Sequence, residues 1–269
     1  MNLLAARVVL RPRPLGDVLD LAVPYCLSGR RLLRRLALGA LVPACALCLY
    51  LRHARGWEWP PIWLVALLLA DLLEGLFTVA CGDLLFQGDA QLRAVAVWKR
   101  FVLRLPGYLV TLVLARILVT LTLVFVPLLP FAAVRLLFVR EANLLEGASV
   151  FAGLARSYRF VQRQVGSSLG LLLALVAAPA LFVLGGEALG DAIVSDVLQM
   201  GSPVGKLFED GGSAYALCGF FLSVPVTASA RFLKYIDVRT RKEGWDIQLR
   251  FVAMADGQDP GLEKRKQVA

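Results

Sequence analysis

IWLVALLLADLLEGLFTVACGDLLF, residues 62–86, is a long and mostly apolar run. A helix needs about 20 apolar residues to cross the hydrocarbon core of a bilayer, so this run can cross with some tilt. The whole chain has the same character, because 58% of its residues are hydrophobic, 18% are charged and the mean hydropathy is +0.69. A soluble core cannot hide that much apolar surface, whereas lipid accepts it. The sequence therefore predicts an integral membrane protein.

Basic residues set the predicted orientation, because Lys and Arg in short loops resist translocation and mark the cytoplasmic side of a membrane protein. Three groups of them precede apolar segments: Arg30, Arg31, Arg34 and Arg35; Lys99, Arg100 and Arg104; Arg156, Arg159 and Arg163. The opposite loops carry Trp57 and Trp59, or the acidic side chains between residues 187 and 210. We therefore expect a multi-pass protein of the bacterial cytoplasmic (inner) membrane with both termini in the cytoplasm.

The predicted transmembrane domain covers residues 36–230 and contains about six spans. They lie at 36–51, at 62–86, in two limbs of a hairpin within 107–138, at 166–184 and at 213–230. Both flanks of 107–138 are basic, so the chain has to return there to the side from which it entered. We place the apex near Val126–Pro130. Because the second limb, 126–138, is short, five spans plus a re-entrant limb are the alternative.

Amphipathic segments precede three of these apolar stretches, at residues 17–35, 90–105 and 141–165. Segments of this kind lie in the membrane interface with their apolar face toward the acyl chains. The expected fold is all-α: a bundle of about six transmembrane helices with amphipathic interfacial helices between hairpins. Residues 1–35 form a cytoplasmic N-terminal amphipathic segment. Residues 231–269 form a basic cytoplasmic tail that is disordered after about residue 256.

Charge and side-chain chemistry exclude several classes of function. A net charge of +9 would suggest nucleic acid binding in a soluble domain, but here the basic residues flank apolar spans and predict contact with anionic lipid headgroups. Cys45 and Cys48 form a C-x-x-C pair without a second pair or a histidine cluster, so we interpret them as packing residues. His53 is the single histidine, and no phosphate-binding glycine motif is present. We expect no nucleic acid partner, enzyme activity, metal or cofactor.

Four stretches of the chain resemble one bacterial family. They are GLFTVACGDLLFQGDAQLRAVAVWKRF at 75–101, PFAAVRLLFVREANLLEG at 130–147, EANLLEGASVFAGLARSYRFVQRQVGSSLGLLLAL at 141–175 and YIDVRTRKEGWDIQLR at 235–250. Together they resemble the membrane domain attached to some bacterial glycerophosphodiester phosphodiesterases, and related standalone multi-pass proteins. The resemblance implies a bundle of about six helices. It implies no catalysis, because the phosphodiesterase activity of that family belongs to a separate soluble barrel, which we do not expect in this chain.

Asp71 and Glu74 lie near the middle of the span at 62–86, three residues apart and so on one helix face. Arg116 lies near the middle of the next span. A charge at mid-bilayer costs about 2.5–3.5 kcal/mol on insertion scales, so such residues normally face a partner or a wet cavity. We expect Arg116 to pair with Asp71 or Glu74 inside the bundle. The cluster either fixes helix register or forms a proton or anion path.

The segment after the last span mixes charged and aromatic side chains beside the membrane. Its candidate contact residues are Tyr235, Asp237, Arg239, Arg241, Glu243, Trp245 and Asp246. Two runs, 236–241 and 245–251, alternate apolar and polar residues with the period of a strand, and Gly244 separates them, which indicates a small hairpin. The segment is either an anchor to anionic headgroups or a docking surface. Its partner would then be the bundle's own cytoplasmic helices or another protein.

These observations predict a non-enzymatic membrane scaffold or subunit that organises partner proteins or lipids. A transporter or channel with a mid-membrane polar site is the first alternative, and it requires a polar cavity lined by Asp71, Glu74 and Arg116. A membrane enzyme that acts on lipid is the second alternative. It requires clustered His, Asp or Ser side chains at one interface, a pattern that the sequence lacks.

Overall fold

The computed structural model describes residues 13–86, 92–162, 164–199 and 205–244, and in these ranges the chain is helical and contains no strand. The helices are α1 Leu15–Ser28, α2 Arg30–Leu36, α3 Val42–His53, α4 Trp59–Phe86, α5 Ala94–Leu121, α6 Leu129–Arg135, α7 Val139–Glu146, α8 Val150–Val161, α9 Val165–Asp191, α10 Leu207–Asp210 and α11 Ala214–Glu243. A π-helical turn, Ala37–Leu41, links α2 to α3, and a 3-10 segment, Thr122–Leu128, links α5 to α6. The fold has the all-α class expected from the sequence.

Within the described ranges, five helices are long and apolar enough to cross a membrane. They are Arg31–His53, Trp59–Leu85, Ala94–Leu121, Val165–Val197 and Ala214–Glu243. The second limb of the expected hairpin does not reach that length, because α6 has only 7 residues. The α5–α6 hairpin therefore combines one long limb with one short one.

Two expected boundaries fall inside continuous helices. The amphipathic segment 90–105 and the span after it share one helix, since α5 runs from Ala94 through Pro106 to Leu121. The expected start of the tail at residue 231 lies inside α11, which ends at Glu243, where Gly244 adopts a left-handed conformation with φ of 55°. The apolar stripe of 94–105 thus continues directly into the apolar helix, without a separate interfacial element.

The strand interpretation of residues 236–241 is wrong, because they form the last turns of α11. Residues 232–238 are all buried, so this part of the helix is enclosed on every side. Where all faces of a helix are buried, the alternation of apolar and polar side chains no longer reports the backbone conformation. The second expected strand, 245–251, lies outside the described residues.

Helix α11 lies in the core of the bundle, and α9 lies at its surface. In the most apolar 18-residue window of each helix, 78% of the residues are buried in α11 and 6% in α9. The two helices nevertheless pack closely, because Gly186 and Gly219 face each other and a Cβ at Gly219 would collide with the carbonyl oxygen of Phe182. Small residues permit this close approach of helix backbones in membranes. The faces of α9 that do not contact its neighbours are apolar and exposed.

One end of the bundle, which we call the basic end, gathers α1, α2, the end of α4, the start of α5, α7, α8 and the end of α11. Helix α1 is held to α4 by a hydrogen bond from the Tyr25 hydroxyl to the carbonyl oxygen of Cys81, at 2.6 Å. The backbone amide of Arg13 donates to the Asp237 carboxylate on α11, at 2.8 Å. Most of the basic groups singled out in the sequence therefore lie at this end.

The opposite end of the bundle joins the start of α4 to the loop before α11. The Trp63 indole donates to the carbonyl oxygen of Gly211 at 3.0 Å. Glu187, near the end of α9, accepts hydrogen bonds from the Leu207 amide at 2.8 Å and from the Ser213 hydroxyl. Tryptophan and acidic side chains thus lie at this end together with Arg52, which stacks on Trp59, whereas most of the basic groups lie at the basic end.

Candidate functional site

Asp71, on α4, pairs with α5 and with α7, the helices before and after the short limb α6. Its Oδ2 accepts a hydrogen bond from Nη2 of Arg116 on α5. Its Oδ1 accepts one from Nη2 of Arg140, at the start of α7, at 2.7 Å. The two arginines therefore lie at the same level of the bundle, on either side of the hairpin. The pair between Arg116 and Asp71 is the contact expected from the sequence.

Glu74, one turn further along α4, contacts two more helices. Its Oε2 lies 2.7 Å from Nη1 of Arg140 and 2.9 Å from Nη1 of Arg231 on α11. Its Oε1 accepts a hydrogen bond from the Thr227 hydroxyl at 3.0 Å. Two carboxylates and three arginines from α4, α5, α7 and α11 thus form one connected set. We call it the cavity cluster: Asp71, Glu74, Arg116, Arg140 and Arg231.

Sequence reasoning found three members of the cavity cluster and missed Arg140 and Arg231. Both missed arginines lie just beyond the ends of expected spans, where a basic residue is interpreted as a marker of orientation. A signal was nevertheless present. The sequence places two carboxylates, Asp71 and Glu74, on one buried helix face and offers only Arg116 as their partner. One carboxylate is then left without a cation, and buried charges require partners.

Tyr108 holds α5 against the turn of α4 that carries Asp71 and Glu74. Its hydroxyl donates to the backbone carbonyl oxygen of Asp71, and its ring lies over Gly75. A Cβ at Gly75 would lie 2.7 Å from Cζ of Tyr108, so any other residue there would displace the ring. The glycine that follows Glu74 is therefore required by the close approach of the two helices, and it keeps Arg116 within reach of α4.

A cavity of about 390 Å³ borders the cavity cluster, and all five members of the cluster line it. The rest of its wall is largely apolar and comes from five helices, with Leu67, Leu112, Leu136, Leu172, Val176 and Phe220 among the lining residues. Its rim reaches the outside of the bundle, because Leu67 and Val176 are both exposed. The sequence predicted the charged residues of this site, and the space beside them is a finding of the structure.

The three arginines of the cavity cluster differ in how far they are enclosed. The side chain of Arg116 is 54% exposed, whereas those of Arg140 and Arg231 are 17% and 12% exposed. Arg140 bridges both carboxylates, and Arg231 is held between Glu74 and the helices around it. Arg116 is therefore the most accessible positive charge of the cavity.

Glu141 lies behind the cavity cluster on α7 and is fully buried. Its Oε1 is 3.8 Å from Nε of Arg231, and among the described residues neither of its carboxylate oxygens has a hydrogen-bond partner. Burial raises the pKa of Glu141 to about 7, although Arg231 and Arg140 act in the opposite direction. When Glu141 is protonated, three arginines face the two carboxylates of Asp71 and Glu74, which leaves one net positive charge.

A second ionic set lies at the basic end, and we call it the end cluster: Glu146, Arg156, Tyr235, Arg239 and Glu243. Arg156 on α8 approaches Glu146 at 2.8 Å and Glu243 at 2.7 Å. Arg239 lies 3.1 Å from Glu243, and the Tyr235 hydroxyl donates to Glu146. Tyr235 and Arg239 also line a smaller cavity of about 250 Å³. The end cluster joins α7 and α8 to the last turns of α11.

The candidate docking residues of the tail therefore contact the chain's own helices. Three of them belong to the end cluster, and Asp237 accepts hydrogen bonds from Arg241 at 3.0 Å and from the Arg13 amide at 2.8 Å. Trp245 and Asp246 lie outside the described residues. Because Tyr235 and Asp237 are buried, they are not available as a docking surface for another protein.

The chemistry available to these sites is the pairing and binding of charges. Within the part of the chain that the structure describes, no group of three or more His, Cys, Asp or Glu side chains could hold a metal ion. The hydroxyls of Ser167 and Thr122 donate to carbonyl oxygens of their own helical turns. Comparison with protein-family models, with curated proteins and with solved structures finds no match for this chain.

Proposed function

We propose that this chain is a non-enzymatic integral protein of the bacterial cytoplasmic membrane that organises lipid. It does so by holding the acidic headgroup of a phospholipid in the cavity beside Arg116. The observation that carries the proposal is the cavity itself, which has a charged floor, an apolar wall and a rim on the outside of the bundle. The proposal thus specifies a phospholipid as the partner that the scaffold organises.

The outer faces of α5 and α9 support a lipid environment. Val110 on α5 and Leu173, Leu181 and Leu189 on α9 are each more than half exposed. In water, an apolar face of this extent would drive association or aggregation. Hydrocarbon accepts the same face, because the backbone polar groups of both helices are satisfied within each helix.

The separation of charge between the two ends supports the orientation. Arg34 and Arg35 belong to the basic end together with the last turn of α11, and such residues mark the cytoplasmic side. Trp63 and Glu187 belong to the opposite end, and tryptophans are enriched at headgroup depth. The proposed orientation therefore puts both termini in the cytoplasm.

The charge of the cavity cluster supports a phosphate as its occupant. Three arginines face two carboxylates, and guanidinium groups bind phosphate oxygens through paired, charge-assisted hydrogen bonds. Arg116 is the member with exposed donors on the cavity side. Leu112, Leu172 and Val176 lie where the glycerol and the first acyl carbons of the lipid would pack.

The depth of the cavity cluster supports entry from the bilayer. Asp71 lies about 14 Å along α4 from Ile62, at 1.5 Å per residue, and a bilayer core is about 30 Å thick. An arginine at this depth requires a partner or a polar cavity, and Arg116 has both. A headgroup would reach it laterally, between the apolar walls that α5 and α9 contribute.

Lipid retention tests the proposal directly. Extraction of the full chain into polymer-bounded nanodiscs, transfer to a mild detergent and native mass spectrometry count the phospholipids that remain bound. We expect the wild type to retain phosphatidylglycerol in preference to phosphatidylethanolamine. Arg116→Gln should weaken this retention about tenfold or more, since a hydrogen bond to a charged group contributes about 1.5–3 kcal/mol.

Arg34→Gln is the control, because Arg34 is an exposed arginine at the basic end and does not line the cavity. It removes the same charge from the protein and should leave retention of phosphatidylglycerol unchanged. Equal retention by Arg116→Gln and the wild type would contradict the proposal. So would equal retention of the two lipids by the wild type.

A second candidate function is movement of an anionic headgroup across the membrane, and the position of the cavity at about half depth favours it. Vesicles that contain the protein and a fluorescent phosphatidylglycerol distinguish the two functions, because dithionite bleaches only the outer leaflet unless lipid exchanges between leaflets. Bleaching of about half the signal supports a holding site. Bleaching of nearly all of it, reduced in Arg116→Gln, supports transport.

The resemblance to membrane domains of glycerophosphodiester phosphodiesterases supports the same class of protein. Standalone members of that family are membrane bundles without the catalytic barrel. We propose a bundle of the same kind for this chain. It agrees with a protein that binds lipid and leaves the chemistry of lipid to other proteins.

A further inference from the structure

Cys45 and Cys218 bring two thiols together from positions 173 residues apart in the chain. Cys45 is a buried residue of α3, and Cys218 is an exposed residue of α11. Their Sγ atoms are 3.5 Å apart. The two helices are in contact here, and a disulfide would bring the two sulfurs to the bonded distance of about 2.04 Å.

The environment of Cys81 differs from that of the pair formed by Cys45 and Cys218. Cys81 is fully buried in α4, and its Sγ lies 3.5 Å from the hydroxyl oxygen of Ser229. Tyr25 also donates to the backbone carbonyl of Cys81, so this residue is fixed near the basic end. The thiols of Cys45 and Cys218, by contrast, meet at the contact between α3 and α11.

The pair lies toward the end of the bundle opposite the basic end. Cys218 is four residues into α11 from Ala214, or about 6 Å along the helix. Cys45 lies eight residues before His53, at which α3 ends. In the orientation proposed above, this end faces the extracytoplasmic side, where disulfides form and persist.

We propose that Cys45 and Cys218 are a redox-controlled disulfide that staples α3 to α11. The Cys218 thiolate attacks one sulfur of an oxidising disulfide and releases a thiolate. The Cys45 thiolate then attacks the Cys218 sulfur of the mixed disulfide and releases the second thiolate. The protein loses two electrons and two protons, and the oxidant gains both as two thiols.

The staple would restrain a helix that is otherwise lightly held. In the Arg31–His53 helix 39% of the most apolar window is buried, against 78% in the helix that contains Cys218. A covalent link would therefore fix the more loosely packed helix to the core. We expect oxidation to raise the thermal midpoint of the purified protein by several degrees and a reductant to reverse the rise.

Thiol counting tests the staple on the full chain in mild detergent. The protein contains five cysteines, so exhaustive maleimide labelling after denaturation should add five groups to the reduced form. Diamide, which accepts two electrons and two protons as a hydrazine, should lower this count to three in the wild type. Peptide mapping without reductant should recover residues 45 and 218 in one linked fragment.

Two variants make the test specific. Cys218→Ser should keep four labelled thiols before and after diamide, whereas Cys48→Ser, which leaves the proposed pair intact, should fall from four to two. Five labelled thiols in the diamide-treated wild type would overturn the proposal. So would loss of two thiols in Cys218→Ser, or a linkage between two chains in place of a linkage within one.

Discussion

The cavity cluster and the end cluster both tie α11 to neighbouring helices through carboxylates and arginines, but they differ in balance and in enclosure. Two arginines face two carboxylates in the end cluster, whereas three face two in the cavity cluster. The most exposed arginine of the cavity cluster, Arg116, is 54% exposed, and the central arginine of the end cluster, Arg156, is 27% exposed. The cavity cluster also has every member on the wall of one cavity.

From this difference we infer that the end cluster has a structural role, whereas the cavity cluster keeps a positive charge that can bind a ligand. A balanced set of ion pairs satisfies its own charges, so its loss affects stability alone. A set with an excess cation beside an open space can accept an anion without breaking its internal pairs. Variants of the two clusters should therefore separate effects on stability from effects on lipid retention.

The largest effect on stability is expected from Asp71→Asn in the cavity cluster. The substitution leaves Arg116 and Arg140 without the carboxylate that both contact. Breaking a buried pair by removing one partner costs about 3–5 kcal/mol, because an uncompensated charge remains. The thermal midpoint in mild detergent, followed by tryptophan fluorescence, should fall sharply. Asp20→Asn, at an exposed position of α1, is the control and should change stability by less than about 0.5 kcal/mol.

The next effect depends on pH and belongs to Glu141. Its ordinary pKa of 4.5 rises to about 7 in the folded protein, where it faces Arg231, Arg140 and Glu74. Between these values the folded protein holds a proton that the unfolded chain has released. The contribution to stability is therefore fully present below pH 4.5 and is lost as the pH rises through 7, by on the order of 3 kcal/mol.

Glu141→Gln isolates this contribution, because the amide is neutral at every pH. We expect the thermal midpoint of the variant, relative to that of the wild type, to rise between pH 4.5 and 8 and then to level off. A difference that stays constant across this range would show that Glu141 does not titrate there. Retention of phosphatidylglycerol by the wild type should also weaken above pH 7, as ionised Glu141 cancels the excess charge.

A smaller effect is expected from Arg156→Gln in the end cluster. The substitution breaks the contacts with Glu146 and Glu243 at the surface of the basic end. Because Arg156 is partly exposed, water screens the loss, and we expect a destabilisation of about 1–2 kcal/mol. Retention of phosphatidylglycerol should not change. A selective loss of that lipid in Arg156→Gln would remove the distinction between the two clusters.

The smallest effect on stability is expected from Arg116→Gln. Its guanidinium is more than half exposed, and Arg140 still neutralises Asp71 after the substitution. The thermal midpoint should therefore fall only slightly, because the free energy of unfolding decreases by less than about 1 kcal/mol. The same variant should nevertheless show the largest loss of bound phosphatidylglycerol. A large loss of stability without a change in bound lipid would identify Arg116 as structural.

Much of the fold follows from the sequence, because lipid imposes simple rules on composition. The apolar run at 62–86 predicts a long apolar helix, and α4 extends over it with the length and composition to cross a membrane. The cost of a charge at mid-bilayer predicts that Arg116 meets a carboxylate, and it contacts Asp71. Both inferences depend on local composition and on one strong energetic constraint, so they do not require knowledge of the packing.

Other features depend on packing and could not be predicted in this way. A span is assumed to end at its first charged residues, but α11 continues past Arg231 because carboxylates of α4 and α7 receive its cations. The role of Arg140 depends on a hairpin that returns to the level of Asp71. The cavity arises from the spacing of six helices, which no single segment encodes.

Photolabelling with lipid tests the central claim, occupation of the cavity by an acidic headgroup, most directly. The full chain in vesicles would be irradiated with phosphatidylglycerol or phosphatidylcholine that carries a diazirine near the glycerol, and the labelled peptides would be sequenced. Phosphatidylglycerol should label the walls around Val119, Leu172 and Val176 above every other segment, with loss of this label in Arg116→Gln. Equal labelling of these walls by the two lipids, or labelling spread evenly over α3, α5 and α9, would contradict the account.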